Sequence, residues 1–170
     1  VGRHTEYKGF TYLIQASKLL DGRFVIYITG TGELTEKLHE EANDDKKVVF
    51  TGQIDDMELK ALILASDIFC FPSITKNEAF GLALAEGMYC GKPAVTFTIP
   101  GSGVNYVSIN GETGIEVENR NAKKYAEAMK KLADDAELRE KYGDAGRKRV
   151  EENFLSTQFC ENARRMFSRL

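Results

Sequence analysis

Apolar residues recur with two different periods along this chain of 170 residues. Helical spacing predicts a first helix over 8–20, where apolar positions share one face. Short runs rich in β-branched and aromatic residues predict strands at 24–29, 48–52, 67–71, 94–98 and 114–117. Polar or amphipathic stretches predict the remaining helices, at 33–42, 56–65, from 80 onward, and at 122–132, 137–151 and 156–170.

The order of these elements indicates the fold class. Strands that alternate with helical stretches of roughly 10 to 15 residues are typical of α/β folds with a parallel sheet. Parallel strands covered on both faces read as continuous apolar runs, as these do. Residues 1–3 resemble the end of a further strand, so the chain is expected to be a fragment of a longer protein. We therefore predict a doubly wound, Rossmann-like parallel sheet of about six strands with helices on both faces.

The overall composition excludes several classes of protein. With 23 basic and 26 acidic residues, the net charge of −3 provides no broad basic surface for nucleic acid. Cys70, Cys90 and Cys160 fit no CxxC pattern, and their odd number argues against disulfides and for a reducing compartment. Cys70 and Cys90 are expected to be buried free thiols. No apolar run approaches the roughly 20 residues of a membrane-spanning helix, and we expect no signal peptide.

Ligands of doubly wound sheets bind at the carboxyl ends of the strands, and one loop there stands out by its sequence. It connects the strand at 67–71 to a helix predicted to begin near Phe80-Gly81-Leu82. The free N–H groups and the dipole of that helix favour an anion. Gly81 has no side chain, so it would let the backbone approach closely. The segment is therefore a candidate site for a phosphate or a sugar.

Two glutamates of this segment, Glu78 and Glu86, are separated by seven uncharged and mostly apolar residues. A carboxylate inside such an apolar helix would be buried at a considerable cost unless a partner hydrogen-bonds it. A hydroxyl-rich ligand is therefore expected at Glu86. On an ideal helix the two carboxylates would lie about 12 Å apart along the axis, too far for a paired acid–base dyad. Considered singly, Glu78 could be an N-terminal acid favoured by the helix dipole, and Glu86 could face solvent.

In their order and spacing, these motifs resemble the group 1 (family 4) retaining glycosyltransferases. The matching part is the C-terminal, donor-binding half of their two-domain GT-B fold, and 1–170 is expected to form one donor-binding domain. Each motif is weak alone, but their ordered sum is highly specific. The matching elements are Gly2-Arg3-x4-Lys8-Gly9, Gly30-x-Gly32, Phe50-x-Gly52, Asp67…Pro72-Ser73, Glu78-x7-Glu86 followed by Gly91-Lys92-Pro93, and Asn110-Gly111-x-Thr113-Gly114.

The resemblance implies a role for individual residues. Arg3 and Lys8 would contact the donor diphosphate, and Glu78 would contact hydroxyl groups of the transferred sugar. These three are the expected catalytic residues, although without the family context Arg3 and Lys8 could be solvated cations. Glu86 would accept hydrogen bonds from the ribose, and the backbone around Ile54 would contact the base. The complete set of expected donor-binding residues is Gly30, Ile54, Phe80, Gly81, Leu82 and Glu86.

The resemblance also implies a reaction, the retaining transfer of a hexose from a UDP- or GDP-sugar to a saccharide or lipid-linked acceptor. Fixed cations and a helix N-terminus would stabilise the departing diphosphate, with no metal expected. We expect the acceptor domain and its histidine to lie outside this chain, which alone is therefore expected to be inactive. His4 and His39 are expected at the surface, and the helix at 156–170 is expected to pack towards the missing domain. The expected setting is cytoplasmic polysaccharide assembly.

The sequence departs from the family pattern in two places and leaves further functions open. After the strand at 94–98 it has Pro100–Tyr106 in place of a Pro-Glu loop, and the last helix lacks tryptophan. A nicotinamide dehydrogenase would need a third glycine three residues after Gly30-x-Gly32, and the chain has none there, which argues against that class. A sugar-nucleotide epimerase, a glycosyl phosphorylase and a non-catalytic nucleotide-sugar-binding module stay open. Basic residues at 123–149 could touch anionic lipid heads as a peripheral membrane contact, but interleaved acids favour a solvated face.

Overall fold

The computed structural model describes residues 1–155, 157, 158 and 164. Within this part of the chain, five strands alternate with helices. The strands are β1 (Ile26–Thr29), β2 (Val48–Gly52), β3 (Phe69–Phe71), β4 (Ala94–Phe97) and β5 (Gly114–Val117). The helices are a 3-10 turn (Glu6–Lys8), α1 (Phe10–Ser17), α2 (Thr35–Ala42), α3 (Asp56–Ala65), α4 (Leu82–Tyr89), α5 (Val104–Val107), α6 (Ala122–Asp134) and α7 (Ala136–Asn153).

The predicted elements are present, with differences at their ends. β2 and β5 have the predicted bounds, whereas β1, β3 and β4 are each shorter than predicted at one end. The helix predicted over 8–20 is interrupted because Gly9, with a φ of 65°, separates the 3-10 turn from α1. Residues 1–3 form no strand, so the described residues contain five strands, not the predicted total of about six. The helix predicted at 156–170 lies almost entirely outside the described residues.

All strand pairs are parallel. β1 pairs with β2, and β3, β4 and β5 form a second sheet in that order. β4 is central in its sheet, and each of its residues is buried. Because successive side chains of a strand point to opposite faces, both faces of this sheet are covered. The chain is therefore an α/β fold of the doubly wound, Rossmann-like type, and the loops that follow its strands lie at the carboxyl edge of each sheet.

Tyr125 anchors α6 to β4. Its ring is fully buried against Phe97, with ring centroids 4.9 Å apart, and its hydroxyl donates to the Val95 carbonyl at 2.6 Å. Burial raises the pKa of Tyr125 well above its usual value of 10.0, and the neighbouring Cys70 thiol adds to this effect. Burial likewise raises the pKa of Cys70 to about 12. Cys70 and Cys90 are free thiols, as predicted, but both are half-buried and not fully buried.

Tyr125→Phe is expected to lower the free energy of unfolding by about 1 kcal/mol near neutral pH, because the Val95 carbonyl loses this donor. In the wild type, the raised folded pKa contributes stability that is fully present below pH 10.0 and is lost as the pH rises further. The variant lacks this contribution, so its stability should fall less between about pH 9 and 11. Urea unfolding across that range is the measurement, with the exposed Tyr27→Phe as control. Equal losses in wild type and Tyr125→Phe would contradict this prediction.

Candidate functional site

The turn that carries Lys8 is fastened to the loop after β3. The Ile74 amide donates to the Tyr7 carbonyl at 2.9 Å, and a Cβ on Gly9 would lie 2.1 Å from the Pro72 carbonyl oxygen. Because glycine has no side chain, the backbone at Gly9 can lie against the backbone at Pro72; any side chain here would push the two apart. This contact brings Lys8 to the carboxyl end of β3.

Lys8 and Glu78, predicted to share one site, are in direct contact. The Lys8 ammonium donates to Glu78 Oε2 at 2.5 Å, and their side chains are only 14% and 11% exposed. Ser73 Oγ donates to the same oxygen at 3.0 Å. The ammonium also lies 5.3 Å from the centre of the Phe71 ring. Glu78 Oε1 accepts no hydrogen bond from the described part of the chain, so it is the oxygen left for a ligand.

A second loop holds the backbone of Glu78 in place. Ser102 Oγ donates to the Glu78 carbonyl, and the Gly103 amide donates to the Ala79 carbonyl at 2.8 Å. Asn105 braces this loop, since its Oδ1 accepts from the Ile99 amide at 2.8 Å and its Nδ2 donates to the Phe97 carbonyl at 3.0 Å. The segment without the Pro-Glu motif therefore still supports the candidate site.

Sequence reasoning missed three residues of this arrangement: Ser73, Ser102 and Asn105. Ser73 could have been found, because it belongs to the Pro72-Ser73 motif that follows the strand. Ser102 is 24 positions from its partner Glu78, and no local sequence pattern predicts that contact. Asn105 was seen only as part of a departure from the family pattern, although its amide can join two backbone groups.

The N-terminus of α4 carries no side-chain cap. Its N-cap residue is Gly81, which has a φ of 89° and whose added Cβ would lie 3.3 Å from the Phe71 ring. The Lys8 ammonium lies over the same Phe71 ring, so the start of α4 and this cation are both next to Phe71. Leu82 is 72% exposed, so the helix begins at the surface. Uncapped amides at the start of an eight-residue helix favour an anion.

Glu86 is exposed, so the expectation that its carboxylate is buried in an apolar helix is wrong. The buried residues of α4 are Leu84, Ala85, Gly87 and Met88. On an ideal helix, Glu86 lies about 200° around the axis from Leu84, on the opposite face. The two glutamates also do not share a helix, because α4 begins at Leu82, after Glu78. The residues next to Glu86 in sequence are apolar, but they lie towards the other side of the helix and leave Glu86 in solvent.

The other predicted site residues before α4 lie in four loops. Arg3 is exposed in the loop before the 3-10 turn, and Ile54 is half-buried in the loop after β2. Gly30 follows β1, and its amide donates to the Gly52 carbonyl at 2.8 Å, which joins the loop after β1 to the end of β2. Phe80 is half-buried directly before the α4 cap. No contact within the described residues ties Arg3, Ile54 or Glu86 to the Lys8–Glu78 pair, so their roles stay predictions.

His4 is buried, so its predicted surface position is wrong, whereas His39 is exposed, as predicted. His4 Nδ1 lies 2.9 Å from Thr35 Oγ1, and its ring packs edge-on against Phe10 at 5.3 Å. Gly32 leaves room for the His4 backbone, because a Cβ there would lie 2.6 Å from the His4 carbonyl oxygen. Burial lowers the pKa of His4, so the ring stays neutral over a wider pH range.

Two properties of the described residues bear on metals and membranes. No group of three or more His, Cys, Asp or Glu is placed to hold a metal ion among them. None of the described helices combines the length and apolar character needed to cross a bilayer.

Known proteins share both the sequence pattern and the fold. The profile of the family described as "Glycosyl transferases group 1" matches residues 1–149. D-rhamnosyltransferase WbpZ of Pseudomonas aeruginosa is 33% identical over 158 residues, which cover 92% of this chain and 41% of that protein. O-antigen chain mannosyltransferase C of Escherichia coli is 29% identical over 163 residues, 95% of this chain and 43% of that protein.

The structure of Anabaena HepE in complex with UDP superposes with a TM-score of 0.90 at 20% identity, over 99% of this chain and 47% of that one. At this identity the superposition shows the fold alone. The chain spans less than half the length of the three proteins. Because the profile match covers most of its residues and the parallel α/β domain is that of GT-B enzymes, the chain belongs to the group 1 glycosyltransferases, as their C-terminal domain.

Proposed function

We propose that this chain binds a nucleoside-diphosphate sugar and positions it for a retaining transfer of the sugar. The observation that carries the proposal is the uncapped N-terminus of α4 beside the buried Lys8–Glu78 pair. Gly81, which begins this helix, and the Lys8 ammonium both lie beside the Phe71 ring at the carboxyl end of β3. Free amides for an anion, a cation next to them and a carboxylate oxygen for hydroxyl groups form a set complementary to a sugar diphosphate.

In this proposal the diphosphate lies at the first-turn amides of α4, with Lys8 and the exposed Arg3 supplying positive charge. When the bond between the anomeric carbon and the diphosphate oxygen breaks, negative charge grows on the diphosphate, and these groups stabilise it. Glu78 Oε1 accepts hydrogen bonds from the transferred sugar. Glu86 lies one helical turn beyond Leu82, about 6 Å along the axis, and ribose hydroxyls can reach its exposed carboxylate.

The loops after β1 and β2 are proposed to hold the base. The loop after β1 is joined at Gly30 to Gly52, the last residue of β2, and the half-buried Ile54 lies two residues further on. The UDP complex of Anabaena HepE, which shares this fold, supports a pyrimidine nucleotide as one candidate. The GDP-sugar stays the second candidate.

Acceptor binding is proposed to come from a domain outside this chain, since the relatives are more than twice as long. Their names, a D-rhamnosyltransferase and an O-antigen chain mannosyltransferase, support transfer of a hexose-type sugar to a saccharide or lipid-linked acceptor in polysaccharide assembly. We place this reaction in the cytoplasm or at its face of the membrane. The chain alone should bind the donor without a metal and transfer little sugar.

The test is calorimetric titration of the chain with UDP, GDP and ADP, without added metal. One nucleotide should bind at least about 10-fold more tightly than the other two, and Glu86→Gln should weaken it by about 10-fold. The same substitution should not weaken the 2′,3′-dideoxy nucleotide, which lacks the hydroxyl groups that Glu86 is proposed to bind. Glu127→Gln, at an exposed position of α6, is the control. No binding at millimolar concentration would overturn the proposal for this chain.

A further inference from the structure

The end of α7 lies against the start of the candidate site. Phe154, the C-cap residue of α7, packs edge-on against Phe80, with ring centroids 5.3 Å apart and the ring planes at 84°. Phe80 is half-buried and directly precedes Gly81, the N-cap residue of α4. A contact from a distant part of the chain therefore reaches the residue next to the uncapped amides of α4.

The same Phe154 ring also contacts α5, the helix that follows the loop after β4. It packs edge-on against Tyr106, with ring centroids 5.8 Å apart. Arg149, also in α7, has its guanidinium carbon 5.3 Å from the centre of the Tyr106 ring and 5.6 Å from that of Phe154. Edge-to-face aromatic pairs and cation–π contacts each add to the stability gained from burial. We call Phe80, Tyr106, Arg149 and Phe154 the α7 cluster.

Arg149 fastens the α7 cluster to the backbone of α5. Its Nε donates to the Val107 carbonyl at 3.0 Å, and its Nη2 donates to the Tyr106 carbonyl at 2.5 Å. Carbonyls in the last turn of a helix need partners from outside that helix. The planar guanidinium holds two acceptors in a fixed geometry, which the flexible side chain of a lysine does not. Arg149 therefore fixes where α5 lies relative to the end of α7.

The α7 cluster lies beside the contact between the two loops that form the candidate site. The Gly103 amide donates to the Ala79 carbonyl at 2.8 Å, and a Cβ on Gly103 would lie 3.1 Å from Phe80 Cα. Phe80 is in the loop after β3, and Tyr106 is in the helix that follows the loop after β4. Because Phe154 packs against both rings, it holds these two loops together.

We propose that Phe154 and Arg149 are positioning residues of the donor site. Through Phe80 they fix where the first-turn amides of α4 and the Glu78 carboxylate lie, without touching the ligand themselves. This inference rests on the proposed function, since the ligand is the nucleoside-diphosphate sugar. Donors held in place stabilise a diphosphate better than mobile ones, because they need no reorganisation as its charge develops. The end of α7 thereby contributes to donor binding from outside the site.

The test combines hydrogen exchange of the nucleotide-free chain with calorimetric titration, for the wild type and Phe154→Ala. The Gly103 amide reports the contact between the two loops, and the Gly30 amide, which donates to the Gly52 carbonyl, is the reference. In Phe154→Ala, exchange of Gly103 relative to Gly30 should be at least about 10-fold faster. The affinity for the preferred nucleotide should fall by about 10-fold. Arg149→Met, which loses both carbonyl contacts but keeps an apolar side chain, should change both quantities in the same direction.

A rescue and a matched control separate positioning from a general loss of stability. Phe154→Tyr keeps the aromatic ring and should retain the wild-type exchange ratio and affinity. Phe24 also has an arginine over its ring, Arg23 at 5.9 Å, but it precedes β1, at the opposite end of the strands. Phe24→Ala should therefore lower the free energy of unfolding without changing the exchange ratio or the affinity.

Two results would overturn the inference: an unchanged exchange ratio in Phe154→Ala, or an affinity loss no greater than that of Phe24→Ala. If the wild type bound no nucleotide, the proposed function would fail. The exchange ratio would still support or overturn the positioning of the loop after β3 by Phe154, because it is measured without nucleotide.

Discussion

Lys8→Met is expected to destabilise the chain by about 3 kcal/mol and to remove its affinity for a nucleoside diphosphate. Lys8 and Glu78 are both mostly buried and in direct contact. Removing the cation leaves the carboxylate with Ser73 as its remaining side-chain donor in the described structure. A mostly buried charge without a counter-charge is costly because one hydroxyl donor and little water replace the lost cation. Urea unfolding measures the stability, and titration with the nucleotide measures the affinity.

The double variant Lys8→Met/Glu78→Gln separates the structural role of the pair from its proposed role in binding. Without either charge, the stability should return to within about 1 kcal/mol of the wild type, while nucleotide affinity stays lost. The exposed pair Lys148 and Glu152, whose charged atoms are 3.9 Å apart, is the matched control. Lys148→Met should change stability by less than about 0.5 kcal/mol. A double variant as unstable as Lys8→Met would show that the two charges are not coupled.

Gly9→Ala is expected to destabilise the chain by about 3 kcal/mol or more. Gly9 has a φ of 65°, which costs roughly 1–2 kcal/mol for any residue with a side chain. The added Cβ would also meet the Pro72 carbonyl oxygen at 2.1 Å, so the 3-10 turn and the loop after β3 would have to separate. Lys8 and Glu78 sit on these two segments, and the variant should therefore also weaken nucleotide binding.

Gly111→Ala isolates the effect of the backbone angle from that of the clash. Gly111 has a φ of 76°, but a Cβ there would meet no atom within 4 Å. Its substitution should cost about 1–2 kcal/mol and leave nucleotide binding unchanged. Urea unfolding of both variants gives the difference. If Gly9→Ala and Gly111→Ala were equally stable, the contact between the turn and the loop after β3 would not hold the site together.

The fold could be predicted from the sequence because its signals are local. The apolar runs of β2 and β5 are bounded by residues that end strands, and both were predicted with the observed bounds. The interruption at Gly9 was missed because the apolar positions that predicted this helix, from Phe10 onward, all lie after Gly9 and carry no information about its start. Glycine is needed at this position because the backbone of Pro72, which is distant in sequence, packs directly against it.

The candidate site could be predicted only in part, for the same reason. Lys8 and Glu78 were assigned to one site by the family resemblance, and they are in contact although 70 positions separate them. The burial of Glu86 was predicted wrongly because the count of apolar neighbours ignored which side of the helix each faces. The position of His4 was predicted wrongly because its buried surroundings include Phe10 and Thr35. No local sequence pattern shows that these two residues pack against His4.

The central claim is that a diphosphate binds at the α4 N-terminus beside Lys8, and amide NMR titration with the preferred nucleotide tests it most directly. The largest shifts should fall on the amides of Leu82–Leu84 and around Lys8 and Glu78, and they should saturate with the calorimetric affinity. Lys8→Met/Glu78→Gln should abolish them without changing the spectrum of the distant α6. Saturable shifts confined to another surface, with the α4 amides unmoved, would contradict the claim.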